Sequence, residues 1–152
     1  MAQSLVFGFI SSVRKFFLIP FHEKMLFFEA LVTMLSVRIK IAFVPMKQLW
    51  PRLGEMQKET DTVDLPHQYH FVYQVSHAVV RCRKIVKFKD RCYPEAITAK
   101  QMLRKRGIAS TLYIGVRKES GKVNAHAWLR SGSIFVTGKR EMGNFVVLST
   151  IA

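Results

Sequence analysis

Apolar residues dominate the first 45 positions of the chain and recur there at helical intervals. The stretch "SLVFGFISSVRKFFLIP" reads as one helix ended by Pro20, and "HEKMLFFEALVTMLSVRIKIAFVP" as a second ended by Pro45. In the second, Leu26, Ala30, Thr33 or Met34, and Val37 share a face, while Glu23, Lys24 and Arg38 stand near the ends. Such a pattern describes a pair of helices packed on a core, with a membrane-surface or partner-docking pair as the alternative. The longest apolar run, Met25 to Val37, contains Glu29 and is shorter than the ~20 residues a membrane span needs.

The next stretch, "PMKQLWPRLGEMQKETDTVDLP", breaks the pattern with three prolines, a glycine and a cluster of charges, and reads as a hinge. A third helix is predicted from His67 to Lys87, with Phe71, Val75, Ala78, Cys82 and Ile85 on its apolar face and Cys82 a buried, inert thiol. "RCYPEAITAKQMLRKRG" predicts a shorter helix opened by Pro94 and closed by Gly107, with basic residues in its last turn. Three strands follow, "STLYIGVRK", "NAHAWLRS" and "SIFVTG", separated by turn residues. Helices first and an antiparallel sheet last make an α+β fold. The expected division is a helical region over residues 1–60 and a core domain over residues 61–152.

Composition narrows the setting. The 152 residues include 24 Lys and Arg against 10 Asp and Glu, a formal net charge of +14. A surface so basic attracts anionic partners: nucleic acid, lipid headgroups, or an acidic protein or peptide. The cations are spread along the chain and match no nucleic-acid motif, so a basic nucleic-acid-binding protein stands second to the reading developed below. Cys82 and Cys92 form no disulfide framework and no zinc spacing. The histidines His67, His70 and His77 lack a carboxylate or cysteine that would complete a metal site, and no metal or organic cofactor is expected. The N-terminus carries no secretory signal, and the two thiols suit a reducing cytoplasm.

Candidate chemistry lies in the second half. Cys92 stands at the start of the predicted fourth helix, where free N–H groups and the positive end of the dipole favour a thiolate. Lys89 and Arg91 add positive charge. His126 sits in "KVNAHAWLRSG" between two alanines. A cysteine opening a helix and a histidine on a later strand are the parts of a Cys–His pair. Alternation along the strand sends Asn124, His126, Trp128 and Arg130 to one face and Ala125, Ala127 and Leu129 to the other, so spacing leaves their contact open.

"CYPEAITAKQMLRKRGIASTLYIGVRK" followed by "AHAWLRSG" resembles the transglutaminase-like leader peptidases of lasso-peptide biosynthesis. The match rests on the cysteine opening a helix, on the "LRKRGI" exit into "LYIGVRK", and on "AHAWL"; a leucine-rich N-terminal half and "LWPRLG" are similar more loosely. The resemblance implies a transglutaminase/papain-like core after N-terminal apolar helices, and a cysteine protease that removes the leader of a ribosomally made precursor. It implies Cys92 and His126 as the catalytic pair. The family's third member is usually an aspartate about a dozen residues after the histidine. That count reaches Gly138, leaving Thr137 or Glu141 as replacements, or a dyad alone. Trp128 is expected to shield the pair, to line the peptide cleft, or to serve structure only. The partners implied are the precursor peptide, a separate leader-recognition protein and a downstream ATP-dependent cyclase that uses the freed amine. A scaffold that holds peptide without cutting it, and acyl transfer to an amine rather than water, remain alternatives.

Overall fold

A computed structural model describes residues 20–63, 66–86 and 91–152. The first expected helix, the expected helix end at Lys87, and Lys89 lie outside the described residues. The described elements are α1 (Phe21–Phe43), α2 (Met46–Leu53), α3 (Pro66–Ile85), α4 (Cys92–Arg104), β1 (Thr111–Glu119), β2 (Lys122–Ser131), β3 (Ile134–Thr137), α5 (Lys139–Met142) and β4 (Val146–Ile151). The strands form one antiparallel sheet in the order β3-β2-β1-β4.

The buried face of α1 consists of Leu26, Phe27, Ala30, Thr33, Met34 and Val37, the stripe that the spacing predicts plus Phe27. The helix stops at Phe43 because Pro45 disfavours helical geometry in the residue before it, and Val44 is extended. On α3 the buried residues are Val72, Val75, Ala78, Val79 and Cys82. The stripe is therefore rotated from the expected one: Ile85 is exposed, and Phe71 only borders the core.

α4 is the central element. Its residues from Pro94 to Lys100, with Met102 and Leu103, are buried. α1, α3, β2 and β3 all pack against it, and α3 also meets β3. Ala30 and Met34, Val75 and Val79, Ile97 and Met102, and Leu112, Leu129 and Ile151 all belong to one apolar core. Helices on both sides of position 60 thus share that core.

Two segments differ from expectation. The expected hinge is partly helical: α2 forms despite Pro51 because Leu49 and Leu53 bury their side chains and Pro45 opens the turn. Beyond it the chain is tied to the sheet. Glu55 and Ala152 exchange backbone hydrogen bonds of 3.1 and 3.0 Å, and the Gln57 N–H donates to the Thr150 carbonyl at 2.7 Å. The second difference is β4, a fourth strand that pairs with β1 from Leu112↔Ile151 to Val116↔Val146.

Candidate active site

Helix α4 delivers Cys92 as its first residue. Pro94 is tolerated there because first-turn N–H groups have no partner inside the helix. At the far end Gly107 takes φ +66°, and the Ile108 N–H returns to the Leu103 carbonyl at 3.1 Å, so the chain turns sharply into β1. The result is a rigid rod whose N-terminus is aimed at the middle of β2.

β2 delivers His126. In the ladder His126 stands opposite Gly115, and Trp128 opposite Tyr113. A Cβ on Gly115 would lie 2.8 Å from two ring atoms of Trp128, so only glycine leaves room for the indole. Tyr113 and Trp128 stack at 5.5 Å with nearly parallel planes. The His126 ring lies 5.8 Å from that of Trp128 and 5.1 Å from that of Phe145. The imidazole is thus held by aromatic packing and is buried.

Cys92 and His126 line one groove of about 520 Å³, together with Glu95, Thr137, Gly138 and Glu141. The backbone amide of Ala127, the residue after His126, interacts with the Cys92 sulfur, as do the amides of Tyr93 and Cys92 itself. Burial outweighs these donors and pushes the Cys92 thiol up; the carboxylate of Glu95 acts in the same direction. The helix start therefore supplies donors to the sulfur, but in the unliganded protein they do not bring the thiol below its ordinary value.

The imidazole Nε2 lies 3.1 Å from the Gly138 carbonyl. As a hydrogen bond this requires Nε2–H as donor, which leaves Nδ1 with its lone pair free to take a proton. Nδ1 is 3.8 Å from Oε2 of Glu141, an ion-pair distance too long for a hydrogen bond. The Thr137 hydroxyl lies in the groove wall and has no hydrogen-bond partner. Position 138, where the resemblance implies an aspartate, thus contributes a main-chain oxygen. No side chain fits there: Gly138 has φ +72°, and a Cβ would lie 2.6 Å from Trp128 Cβ and 2.9 Å from the Ala127 oxygen. Trp128 itself is buried beside the imidazole and is not part of the groove wall.

Two features escape the sequence reading. Glu95, one turn after Cys92, faces the groove and is nearly buried. Burial pushes its carboxyl up; Arg83 and Arg91 oppose the rise and Glu141 adds to it. Arg83 reaches Glu95 Oε2 at 4.0 Å, while Oε1 has no partner. The i, i+3 spacing from Cys92 was the available signal. The second feature is Arg130, buried on β2. It donates to the Tyr113 hydroxyl at 2.8 Å, to the carbonyls of Thr60 and Gly132 at 2.9 and 2.7 Å, and to Glu59 at 3.2 Å. It clamps residues 59–61 across the sheet face opposite the helices. Among the described residues no group of three or more His, Cys, Asp or Glu is arranged to hold a metal ion.

A helix N-terminus carrying a cysteine, docked on an antiparallel strand carrying a histidine, defines a class of fold and site. The model of the transglutaminase-like superfamily matches residues 31–150, and the chain belongs to that family. Cysteine peptidases and acyl transferases are common in it. No curated protein and no solved structure matches the chain.

Proposed function

We propose that the protein is a cysteine peptidase that removes the leader from a lasso-peptide precursor, freeing the core amine for macrolactam formation. The observation that carries this reading is the shared groove of Cys92 and His126, with the imidazole Nε2 tied to Gly138 and Nδ1 left as the base. The narrower claim, the lasso-peptide leader as substrate, rests on the resemblance of residues 92–137 and "LWPRLG" to those peptidases.

The steps follow from the groups present. The Cys92 thiol is neutral at rest. Its proton passes to His126 Nδ1 as the sulfur attacks the carbonyl at the leader–core junction. The Cys92 amide, one of the donors gathered at the sulfur, turns to the oxyanion as it forms. Collapse breaks the C–N bond; His126 returns the proton to the leaving core amine, and the leader remains as a thioester on Cys92. Water, deprotonated by His126, then hydrolyses the thioester, and the thiol regains its proton. A separate leader-recognition protein delivers the precursor, and an ATP-dependent cyclase takes the freed amine.

The test combines the protein, the leader-recognition protein and the precursor, and follows leader release by mass spectrometry. Cys92→Ala and His126→Ala are expected to abolish release with unchanged circular dichroism, and Cys82→Ala to cleave as wild type does. Normal cleavage by Cys92→Ala overturns the proposal. Conjugates in place of free acid on adding amines would redefine the reaction as acyl transfer.

A further inference from the structure

The last turns of three helices meet at the far end of α4, about 18 Å along its axis from Cys92. Lys40 of α1, Arg52 of α2, and Lys100, Arg104 and Lys105 from α4 and its exit line one recess of about 440 Å³. No acidic side chain among the described residues lines it. An adjoining recess of about 480 Å³ shares Arg52, Lys100 and Arg104; its acid, Glu55, pairs with Lys58. Among the described residues no carboxylate pairs with Lys40, Arg52, Lys100 or Arg104. Lys105 pairs with Glu29 at 3.5 Å, and Arg106 holds the same carboxylate more closely, at 2.6 Å.

Cations commonly accompany helix C-termini, where the dipole carries about −0.5 of a charge. Three such ends offset roughly 1.5 charges, so the four cations without a carboxylate leave an excess of about 2.5. Two of them keep donors in reserve. Lys100 is buried and gives two of its three donors to the Ser110 and Ile151 carbonyls, at 2.7 and 3.1 Å. Burial pushes its ammonium down to about 8, and Arg104 acts in the same direction. Arg104 gives one donor to the Arg52 carbonyl at 3.0 Å, and its guanidinium has others to offer. An anion between the two replaces their repulsion with two attractions, and a guanidinium fork suits paired phosphate oxygens. A single phosphate group carries about −1.5 to −2 at pH 7, short of the excess; two or three linked phosphates match it.

We propose that this recess binds a small oligophosphate, a molecule with two or three linked phosphates, on buried Lys100 with Lys40, Arg52 and Arg104 around the anion. The ligand ties the ends of α1, α2 and α4 together at the end of α4 remote from Cys92. Its binding does not depend on whether the Cys92 groove cleaves peptide. Inorganic polyphosphate and nucleoside di- or triphosphates share the required chemistry.

The experiment is isothermal titration calorimetry of the full chain with inorganic tripolyphosphate, at about 0.15 M salt so that diffuse attraction is screened. One tripolyphosphate is expected to bind per chain. Lys40→Gln with Arg52→Gln changes two exposed side chains and is expected to weaken binding about tenfold or more. If that pair fails to fold, Arg52→Gln alone, expected to lose about threefold or more, replaces it. Lys118→Gln with Lys122→Gln removes the same charge at the β1–β2 hairpin and is expected to bind as wild type does. Adenosine triphosphate is the second probe: tighter binding than tripolyphosphate assigns the site to nucleotides, and equal or weaker binding assigns it to the inorganic chain. Absence of binding by both probes overturns the proposal, as does equal binding by the folded recess variant or an equal loss in the hairpin variant. Citrate binding as tightly as tripolyphosphate would show attraction by charge alone and also overturn it. So would a short DNA duplex that binds more tightly than either probe and loses affinity in both variants, which would assign the cations to a nucleic-acid surface.

Discussion

Gly138→Ala tests the reading of the histidine's support. Two costs are separable. The first is conformational: alanine at φ +72° occupies the left-handed region, at about 1 kcal/mol. The second is steric: the new Cβ would lie 2.6 Å from Trp128 Cβ, 2.9 Å from the Ala127 oxygen and 3.0 Å from Trp128 Cα. Those atoms belong largely to the backbone of β2, which is held by β1 on one side and β3 on the other, so position 138 must move instead. Overpacking of this kind costs about 1–3 kcal/mol. Gly121 supplies the control. It has φ +78° and nothing within 4 Å of an added Cβ, so Gly121→Ala meets the conformational cost alone. For a chain of this size 1 kcal/mol shifts Tm by about 2–4 °C. Thermal melts are then expected to fall by roughly 3 °C for Gly121→Ala and roughly 6–12 °C for Gly138→Ala. Displacing residue 138 also takes its carbonyl from the imidazole, so long-range ¹H–¹⁵N spectra should show His126 as a single Nε2–H tautomer in wild type and as a mixture in the variant. Leader release should fall in parallel. Gly138→Asp meets the same atoms, so restoring the aspartate that the resemblance implies is expected to lower activity. Equal melting of the two alanine variants, or a gain of activity in Gly138→Asp, would refute the argument.

Alkylation of Cys92 by iodoacetamide, followed in a Cys82→Ala background, is expected to rise with a midpoint above the ~8.5 of a free thiol, because burial disfavours the thiolate. Glu95→Gln removes a like charge and should move that midpoint down; no change would show that Glu95 does not act on the sulfur. Burial pushes Lys100 down to about 8 from 10.5 while it donates to the Ser110 and Ile151 carbonyls at 2.7 and 3.1 Å. Between those values the unfolded chain binds this proton more tightly, so the Lys100 contribution to stability rises with pH, by roughly 3 kcal/mol at most. The raised acids Cys82, Cys92, Tyr93 and Tyr113 act in the opposite sense, so the readout is the difference between wild type and Lys100→Met in denaturant titrations across that range. Arg130→Lys cannot reproduce the guanidinium fork and leaves buried acceptors on Tyr113, Thr60 and Gly132 unmet; a loss of about 2–4 kcal/mol is expected, read as Tm. A melt within 2 °C of wild type would show that the clamp on residues 59–61 carries no stability.

The legible parts of the fold are those set by local chemistry. The stripe of α1, the proline and glycine that bracket α4, and the strands on either side of Gly121 and Gly132 each follow from a side-chain period or a turn residue. α2 was hidden because Pro51 and the surrounding charges read as loop, whereas two leucines reaching the core decide the matter. β4 was hidden because its apolar run follows "GKREMGN", a polar stretch with no hairpin signature, and its partner β1 lies about 30 residues earlier in sequence. On α3, Val72 and Val79 fit the helical period as well as Phe71 and Ile85 do; only the position of α1 and α4 chooses between the two stripes.

The same division runs through the candidate site. Cys92 and His126 stand out as candidates in the sequence because a cysteine at a helix start and a histidine on a strand are side-chain features. The group that orients the imidazole was not, because a carbonyl oxygen leaves no mark in a sequence: every residue has one. Counting from His126 reaches Gly138, and the search there for a carboxylate finds nothing. The glycine is itself the signal. With no Cβ, the backbone at 138 approaches β2 closely enough for its oxygen to meet Nε2, and any side chain would hold it away. An aspartate would serve the imidazole with a full negative charge; a carbonyl offers only a dipole. In the proposed reaction the imidazolium formed during attack is therefore less stabilised by this partner, and Glu141, 3.8 Å from Nδ1, is the carboxylate among the described residues that stands within ion-pair distance to add to it. Glu141→Gln is then expected to slow leader release several-fold without altering the melt, whereas Thr137→Val, which removes an unpartnered hydroxyl, should leave the rate near wild type. Equal rates for Glu141→Gln and wild type would leave the Gly138 carbonyl as the polar partner that matters to the ring.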